Sequence, residues 1–124
     1  MAIPWGTTTG PLYPLGLISV TTAGTPVLLS ANVPITTAFG TGTSQAPMCA
    51  NQLIFSCPGS NTGLIYFIFK GGSKTTGNSV ILTLTPGQTY TLQSPQLSNP
   101  FLLTNYALDA DVNANTCYVT AVIV

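Results

Sequence analysis

Charged side chains are almost absent from this chain. Its 124 residues include 2 Lys or Arg, 2 Asp or Glu and no His. Charged residues therefore make up 3% of the sequence, against about 25% in an average soluble domain. Nucleic-acid binding depends on basic residues that neutralise phosphates, and attraction to anionic lipid depends on basic clusters. We therefore expect neither nucleic acid nor a membrane as a partner.

The missing histidine also removes the most common general base. Lys70 and Lys74 lie in one predicted loop, whereas Asp109 and Asp111 lie two residues apart in a predicted turn region. Acid–base and nucleophilic catalysis need a base within reach of a nucleophile, and no such arrangement is predicted. We therefore expect no enzyme, no catalytic residue and no cofactor.

Long apolar runs are missing as well. The longest is residues 64–69 (LIYFIF), which has strand length, whereas a membrane-spanning helix needs about 20 apolar residues. The N-terminal MAIPWGTTTG lacks the basic and apolar parts of a secretory signal. Either the protein is made and used in a cytoplasm or a leader has been removed, and Met1 favours the first interpretation.

Cysteines are few and odd in number, at positions 49, 57 and 117, with no CxxC pair. Small secreted domains are usually stapled by even sets of cysteines. The first interpretation is therefore three reduced thiols that serve as small apolar side chains. A Cys49–Cys57 or a Cys57–Cys117 disulfide remains an alternative, while the spacing and the missing His do not favour zinc.

Short strand patterns separated by turn residues are abundant. Pro86 and Gly87 supply what a type II turn needs at its two central positions. No window shows sustained helical periodicity. About eight strands at regular spacing predict an all-β fold, a single antiparallel β-sandwich or jelly-roll-like domain over residues 15–124. The predicted strands are 15–21, 26–32, 50–57, 63–70, 80–85, 88–92, 101–109 and 116–124, with a long loop around a further short strand at 34–48.

Residues 1–14 (MAIPWGTTTGPLYP) are expected to form an extended arm. Its prolines and glycines prevent both helix propagation and a regular central strand. The arm nevertheless carries Ile3, Trp5, Leu12 and Tyr13, apolar residues that a merely solvated tail would not need. We expect these four side chains to contact a partner.

Two predicted strands, 63–70 and 116–124, are apolar on both faces. Such strands are normally buried on both faces, yet a two-layer sandwich covers only one face of each sheet. The second face is covered either by the arm or a long loop, or by a neighbouring subunit. Large exposed apolar patches mark association surfaces, and we therefore assign Tyr66, Phe67 and Phe69 to a partner interface.

Asp109, Asp111, Asn113 and Asn115 place side-chain oxygens at alternate positions. A calcium loop presents its first ligands in this way, which makes these residues a calcium candidate. The glycine and the closing glutamate of an EF-hand are missing. Asp and Asn also favour turns for local reasons, so a simple turn is the alternative.

Four segments together resemble small β-rich structural proteins of bacteriophage virions, of the head decoration, cement or minor capsid type. They are GTPVLLSAN, ANQLIFSCPGSNTGLIYFIFKGG, LTLTPGQTYTL and LDADVNANTCYVTAVIV. The resemblance spans roughly residues 19–124 and rests on the residue patterns of the strands and on the order of the turns between them. It implies a sandwich or jelly roll that oligomerises and seats on a capsid lattice.

The expected partners are the major capsid protein or other virion proteins, together with further copies of the chain. A trimer would suit a threefold lattice position. The expected location is the virion, assembled in the host cytoplasm. The alternative is a phage tail, fibre or adhesin-type module that binds a host surface through Phe39, Tyr106 and the 34–48 loop.

Overall fold

The computed structural model describes residues 12–32, 49–94 and 101–123. Within these ranges the chain forms strands and two short 3-10 helices, which confirms the predicted all-β class. The strands are β1 (Leu12–Val20), β2 (Val27–Leu28), β3 (Cys49–Ser56), β4 (Ile65–Phe69), β5 (Val80–Leu84), β6 (Thr89–Gln93), β7 (Phe101–Leu102), β8 (Tyr106–Ala110) and β9 (Asn115–Ile123). The 3-10 helices are η1 (Leu29–Asn32) and η2 (Leu103–Asn105).

The strands form two antiparallel sheets that pack as a β-sandwich. A five-stranded sheet has the order β1-β9-β3-β6, with β7 also paired to β3, and a four-stranded sheet has the order β2-β8-β4-β5. Apart from β7, the pairing is nested: β1 pairs with β9, β2 with β8, β3 with β6 and β4 with β5. These pairs alternate between the two sheets, and β3–β9 and β4–β8 contacts complete the sheets.

The core lies between the sheets because inward and outward residues alternate along each strand. Leu53 and Phe55 of β3 are buried, whereas Ile54 and Ser56 are half-buried on the opposite face. Phe67 of β4 faces Phe55 with ring centroids 5.0 Å apart and is 0% exposed. Burying such a ring stabilises the fold by about 1.5–3 kcal/mol. Our prediction that Phe67 contacts a partner is therefore wrong, because this residue joins the two sheets.

The first strand begins at Leu12 rather than at the predicted residue 15. Pro14 pairs with Thr120, and a β-bulge follows before Gly16 pairs with Val119. A proline is tolerated because β1 is an edge strand and the bulge absorbs the irregularity. Residues 12–14 of the predicted arm are thus part of β1, and residues 1–11 lie outside the described residues.

Two predicted strands are each interrupted by a 3-10 helix. Residues 26–32 form β2 followed by η1, and residues 101–109 form β7, η2 and the start of β8. β7 belongs to the five-stranded sheet and β8 to the four-stranded sheet, so one continuous strand cannot serve both. Leu29 and Leu103 in the 3-10 helices are buried in the core.

The predicted turn at Pro86 and Gly87 is confirmed. Gln88 N donates to the Thr85 carbonyl over 3.1 Å, and Gly87 has φ +81°. Such a pair of features defines a type II turn, whose third position requires positive φ. The turn connects β5 of one sheet to β6 of the other.

Candidate interaction surface

The outer face of the five-stranded sheet is uncharged. None of the strands β1, β3, β6, β7 and β9 contains Lys, Arg, Asp or Glu. The strand register aligns its outward side chains in rows across β1, β9, β3 and β6. We call two neighbouring rows the neutral face; one holds Leu17, Tyr118, Ser56 and Thr89, and the other holds Thr120, Ile54 and Thr91.

The neutral face combines exposed apolar groups with hydroxyl groups. Leu17 and Tyr118 pair directly across β1 and β9 and are 44% and 52% exposed. The hydroxyl groups of Ser56 and Thr89 lie 3.4 Å apart across β3 and β6. A surface of this kind costs little to dehydrate, because no charge has to leave water.

All four charged residues belong to the other sheet or its loops. Asp109 lies in β8, and Asp111 is the first residue after that strand. Lys70 and Lys74 lie in the loop after β4. Lys74 Nζ lies 3.7 Å from the Asp111 carboxylate and donates to the carbonyl of Ala110. The two charged segments, which are distant in sequence, therefore meet on the four-stranded sheet.

The Lys74 contact shows that the β4–β5 loop folds back across this sheet. The loop leaves β4 after Phe69, whereas Ala110 pairs with Ile65 at the opposite end of β4. Four residues of strand span about 13 Å, so the loop must run back along the outer face. Ile68 and Ala107 are buried on this face although they do not belong to the core between the sheets.

Tyr66, a predicted partner residue, is half-buried and contacts Asp111, the residue that Lys74 of this loop also reaches. Its hydroxyl group donates to the Asp111 carboxylate, with distances of 3.1 and 3.2 Å to the two oxygens. Partial burial and then this carboxylate raise the pKa of Tyr66, because both disfavour the phenolate. The second face of β4 is thus partly covered by the chain itself, since Ile68 is buried there while Tyr66 stays half-buried.

The four predicted calcium ligands each contact other groups of the protein in the described structure. Asp109 Oδ1 accepts the Gly24 N–H and Asn113 Oδ1 accepts the Ala23 N–H, each over 2.8 Å. Asn115 points to a different loop, and Asp111 contacts Lys74 and Tyr66. Among the described residues no group of three or more His, Cys, Asp or Glu is arranged to hold a metal ion. The contacts therefore favour the turn interpretation, in which each side chain accepts local or cross-loop hydrogen bonds.

Asn115 and Asn61 fasten the β3–β4 loop to the start of β9. Asn115 Oδ1 accepts the N–H groups of Thr62 and Gly63 over 3.1 and 2.9 Å. Asn61 Nδ2 donates to the carbonyl of Thr116 over 2.7 Å, and Asn61 Oδ1 accepts the Thr116 N–H over 3.0 Å. Asn61 was not singled out from the sequence, because its place after Pro58 and Gly59 predicts only a turn residue.

An aromatic series leads from the core to one end of the sandwich. Tyr106 stacks on Phe67 at 5.1 Å and contacts Phe69 and Phe101 at 5.8 Å. Phe69, the last residue of the series on β4, is 48% exposed. It is the one predicted partner residue of β4 that the structure leaves available at the surface. Burial raises the pKa of the Tyr106 hydroxyl group.

The remaining predicted interface residues belong to the arm. Ile3 and Trp5 lie outside the described residues, as do Phe39 and the 34–48 loop. Leu12 and Tyr13 lie in β1, where their backbones pair with Val122 and Ala121 of β9. The backbone of the arm's end is thus anchored on the five-stranded sheet, next to the neutral face.

Comparisons with protein-family models, with curated proteins and with solved structures gave no match. Similarity therefore assigns no family to the chain. In the described ranges, no helix is long and apolar enough to cross a membrane.

Proposed function

We propose that this chain is a non-enzymatic structural protein of a bacteriophage virion, a capsid decoration, cement or minor capsid component. It acts by protein–protein contact, with the neutral face and the arm (residues 1–14) as the contact surfaces. Its partners are the major capsid protein or other virion proteins and further copies of itself.

The nested strand pairing is the observation that carries this proposal. Eight strands pair first with last and second with second-last, and the pairs alternate between two facing sheets. A long antiparallel hairpin rolled up in this way is the arrangement that a jelly roll has, with two Greek keys in eight strands. Jelly rolls are recurrent in viral capsid and lectin domains. The pairing therefore supports both the jelly-roll topology and a place in a viral shell.

The distribution of charge supports a role in contact rather than in solution. Free soluble proteins keep charge on their surfaces and on sheet edges, which prevents unwanted association. Here the five-stranded sheet has none, and Lys74 and Asp111 are used to hold a loop on the other sheet. The resemblance of the four segments to phage structural proteins further supports a location in the virion.

The test is an imaging reconstruction of phage particles purified from cells that produce this chain. The proposal expects its density on or within the head shell, with the five-stranded sheet facing neighbouring protein. Density at the tail or fibre would favour the alternative, a module that binds a host surface. Particles that lack the chain altogether would contradict both.

A further inference from the structure

Cys57 and Cys117 are a cross-strand pair in the core. Ser56 pairs with Tyr118 and Phe55 with Val119, so the same antiparallel register places Cys57 directly opposite Cys117. Both residues are buried, and their sulfur atoms lie 3.5 Å apart. The pair joins β9 to the end of β3, two neighbouring strands at the centre of the five-stranded sheet.

The backbone hydrogen bonds define the spacing of this pair. Cys57 N donates to the Gln88 carbonyl on the side away from β9. Because the N–H and C=O of one strand residue point to the same side, Cys57 and Cys117 form a non-hydrogen-bonded pair, whose Cα atoms are typically about 4.5 Å apart. Disulfides span Cα separations of about 4.4–6.8 Å. The backbone therefore already has a spacing that a disulfide accepts.

We propose that Cys57 and Cys117 form a reversible disulfide that locks β3 to β9 when the protein meets a disulfide oxidant. The sulfur atoms need to approach by about 1.5 Å to reach the bond length of about 2.0 Å. The bond closes a loop between residues 60 positions apart and so removes freedom from the unfolded chain. The proposal goes beyond the virion assignment and does not depend on it.

The chemistry is thiol–disulfide exchange with a small-molecule disulfide. The Cys57 thiolate attacks one sulfur atom of that disulfide, forms a mixed disulfide and releases one thiolate. The Cys117 thiolate then attacks the Cys57 sulfur and releases the second thiolate. The two protons of the cysteines pass to the two released thiolates, so the pair loses two electrons and the small disulfide becomes two thiols.

Cys57 is the expected first attacker because it lies just past the end of β3 and is 3% exposed, whereas Cys117 lies within β9 and is 0% exposed. The hydrogen bond with Cys117 lowers the pKa of the Cys57 thiol, although burial opposes this effect. The same bond and burial raise the pKa of Cys117. Because both thiols are buried, the exchange requires folding or local opening of the strands, and we expect it to be slow in the native protein.

Cys49 provides an internal control. It begins β3, eight residues before Cys57 along one extended segment, and so lies about 26 Å away. A disulfide cannot span this distance, which excludes the Cys49–Cys57 alternative in the folded protein. Cys49 therefore remains a free thiol under the conditions that link the other two.

The experiment equilibrates the full chain in mixtures of reduced and oxidised glutathione, both in native buffer and in denaturant. Remaining thiols are then alkylated and the peptides are mapped by mass spectrometry. We expect the native protein to lose two hydrogen atoms, to keep Cys49 alkylated and to yield a linked Cys57–Cys117 peptide. Cys49→Ser should behave identically.

In native buffer, half of the protein should still carry the disulfide in a glutathione mixture at least ~10-fold more reducing than the mixture that gives half in denaturant. The reason is that the fold brings the two sulfur atoms together and so favours the bond. The oxidised protein should melt at least ~5 °C above the reduced protein. Three alkylated thiols throughout, a link to Cys49, or equal glutathione midpoints in native buffer and denaturant would overturn the proposal.

Discussion

At the scale of single residues, asparagine side chains replace missing strand contacts. Asn115 is buried, and its Oδ1 satisfies two backbone N–H groups of a loop that has no strand partner at this point. A buried N–H that loses its acceptor costs free energy, whereas an exposed one bonds to water. Asn115 is therefore predicted to matter more for stability than its neighbour Asn113, whose oxygen accepts one bond in an exposed setting.

The Asn115→Ala variant should lower the free energy of unfolding by about 2 kcal/mol, because two N–H groups lose their acceptor. Asn113→Ala is the matched control and should cost less than about 1 kcal/mol. Chemical denaturation with a common m-value measures both. Equal losses for the two variants would show that the Asn115 contacts do not hold the loop.

Tyr66 makes stability depend on alkaline pH. Its folded pKa is raised above the unfolded value of about 10, so the unfolded chain ionises first as the pH rises. The folded state binds more protons in this window, and stability therefore falls as the pH rises above about 10. Tyr66→Phe should make this loss of stability smaller. Burial also raises the pKa of Tyr106, so part of the loss should remain in the variant.

Unfolding followed from neutral to alkaline pH tests this prediction, with Tyr90→Phe as the control outside the Asp111 cluster. The Tyr90→Phe protein should lose stability with pH as the wild type does. An unchanged alkaline slope in Tyr66→Phe would contradict the role given to the Tyr66–Asp111 contact.

At the scale of elements, the turns set where the chain changes sheets. Gly87 at the β5–β6 turn has φ +81°, a conformation that costs a residue with a Cβ about 1–2 kcal/mol. Gly87→Ala should lower the free energy of unfolding by that amount. Gly77→Ala, in an exposed loop with no atom near the added Cβ, should change stability by less than about 0.5 kcal/mol. Thermal or chemical unfolding measures the difference, and equal effects would contradict it.

Local sequence patterns predicted the strands well where the structure has one uninterrupted strand. The predicted strands 50–57, 80–85 and 88–92 match β3, β5 and β6 to within one residue at each end, because alternation and turn residues bound them. The predictions for 26–32 and 101–109 missed the interruptions. Apolar residues continue through these segments, and no local pattern marks the points at which Leu29 and Leu103 leave the strand.

The candidate surface could be predicted only in part, because sheet register and loop placement are long-range properties. The low charge pointed to a contact surface, and β9 does expose Tyr118. Alternation separates the two faces of β4 but does not tell which is inside, and Phe67 was therefore assigned to the wrong side. No local pattern predicts that Lys74 crosses the sheet to reach Asp111.

At the scale of the whole molecule, charge divides the sandwich into two unlike sides. The four-stranded sheet carries the charged groups and a loop that crosses part of its outer face, whereas the five-stranded sheet presents the neutral face. A neutral, partly apolar sheet face is a natural contact surface between proteins. We therefore propose that copies of this protein contact one another, and a shell, through the neutral face.

The most direct test of this central claim compares the same substitution on the two sheets. Thr91 of β6 and Thr83 of β5 are both exposed on outer faces, Thr91 on the neutral face and Thr83 on the four-stranded sheet. Sedimentation velocity of the purified full chain measures how each Thr→Lys change affects self-association. A charge buried at a contact without a partner is costly, so we expect Thr91→Lys to weaken association at least ~10-fold.

Wild-type protein is predicted to sediment as an assembly of 12.8 kDa chains, and Thr83→Lys should leave that assembly intact. A wild-type protein that remains a single 12.8 kDa chain at all concentrations would contradict the account. Equal weakening by Thr91→Lys and Thr83→Lys would contradict it as well.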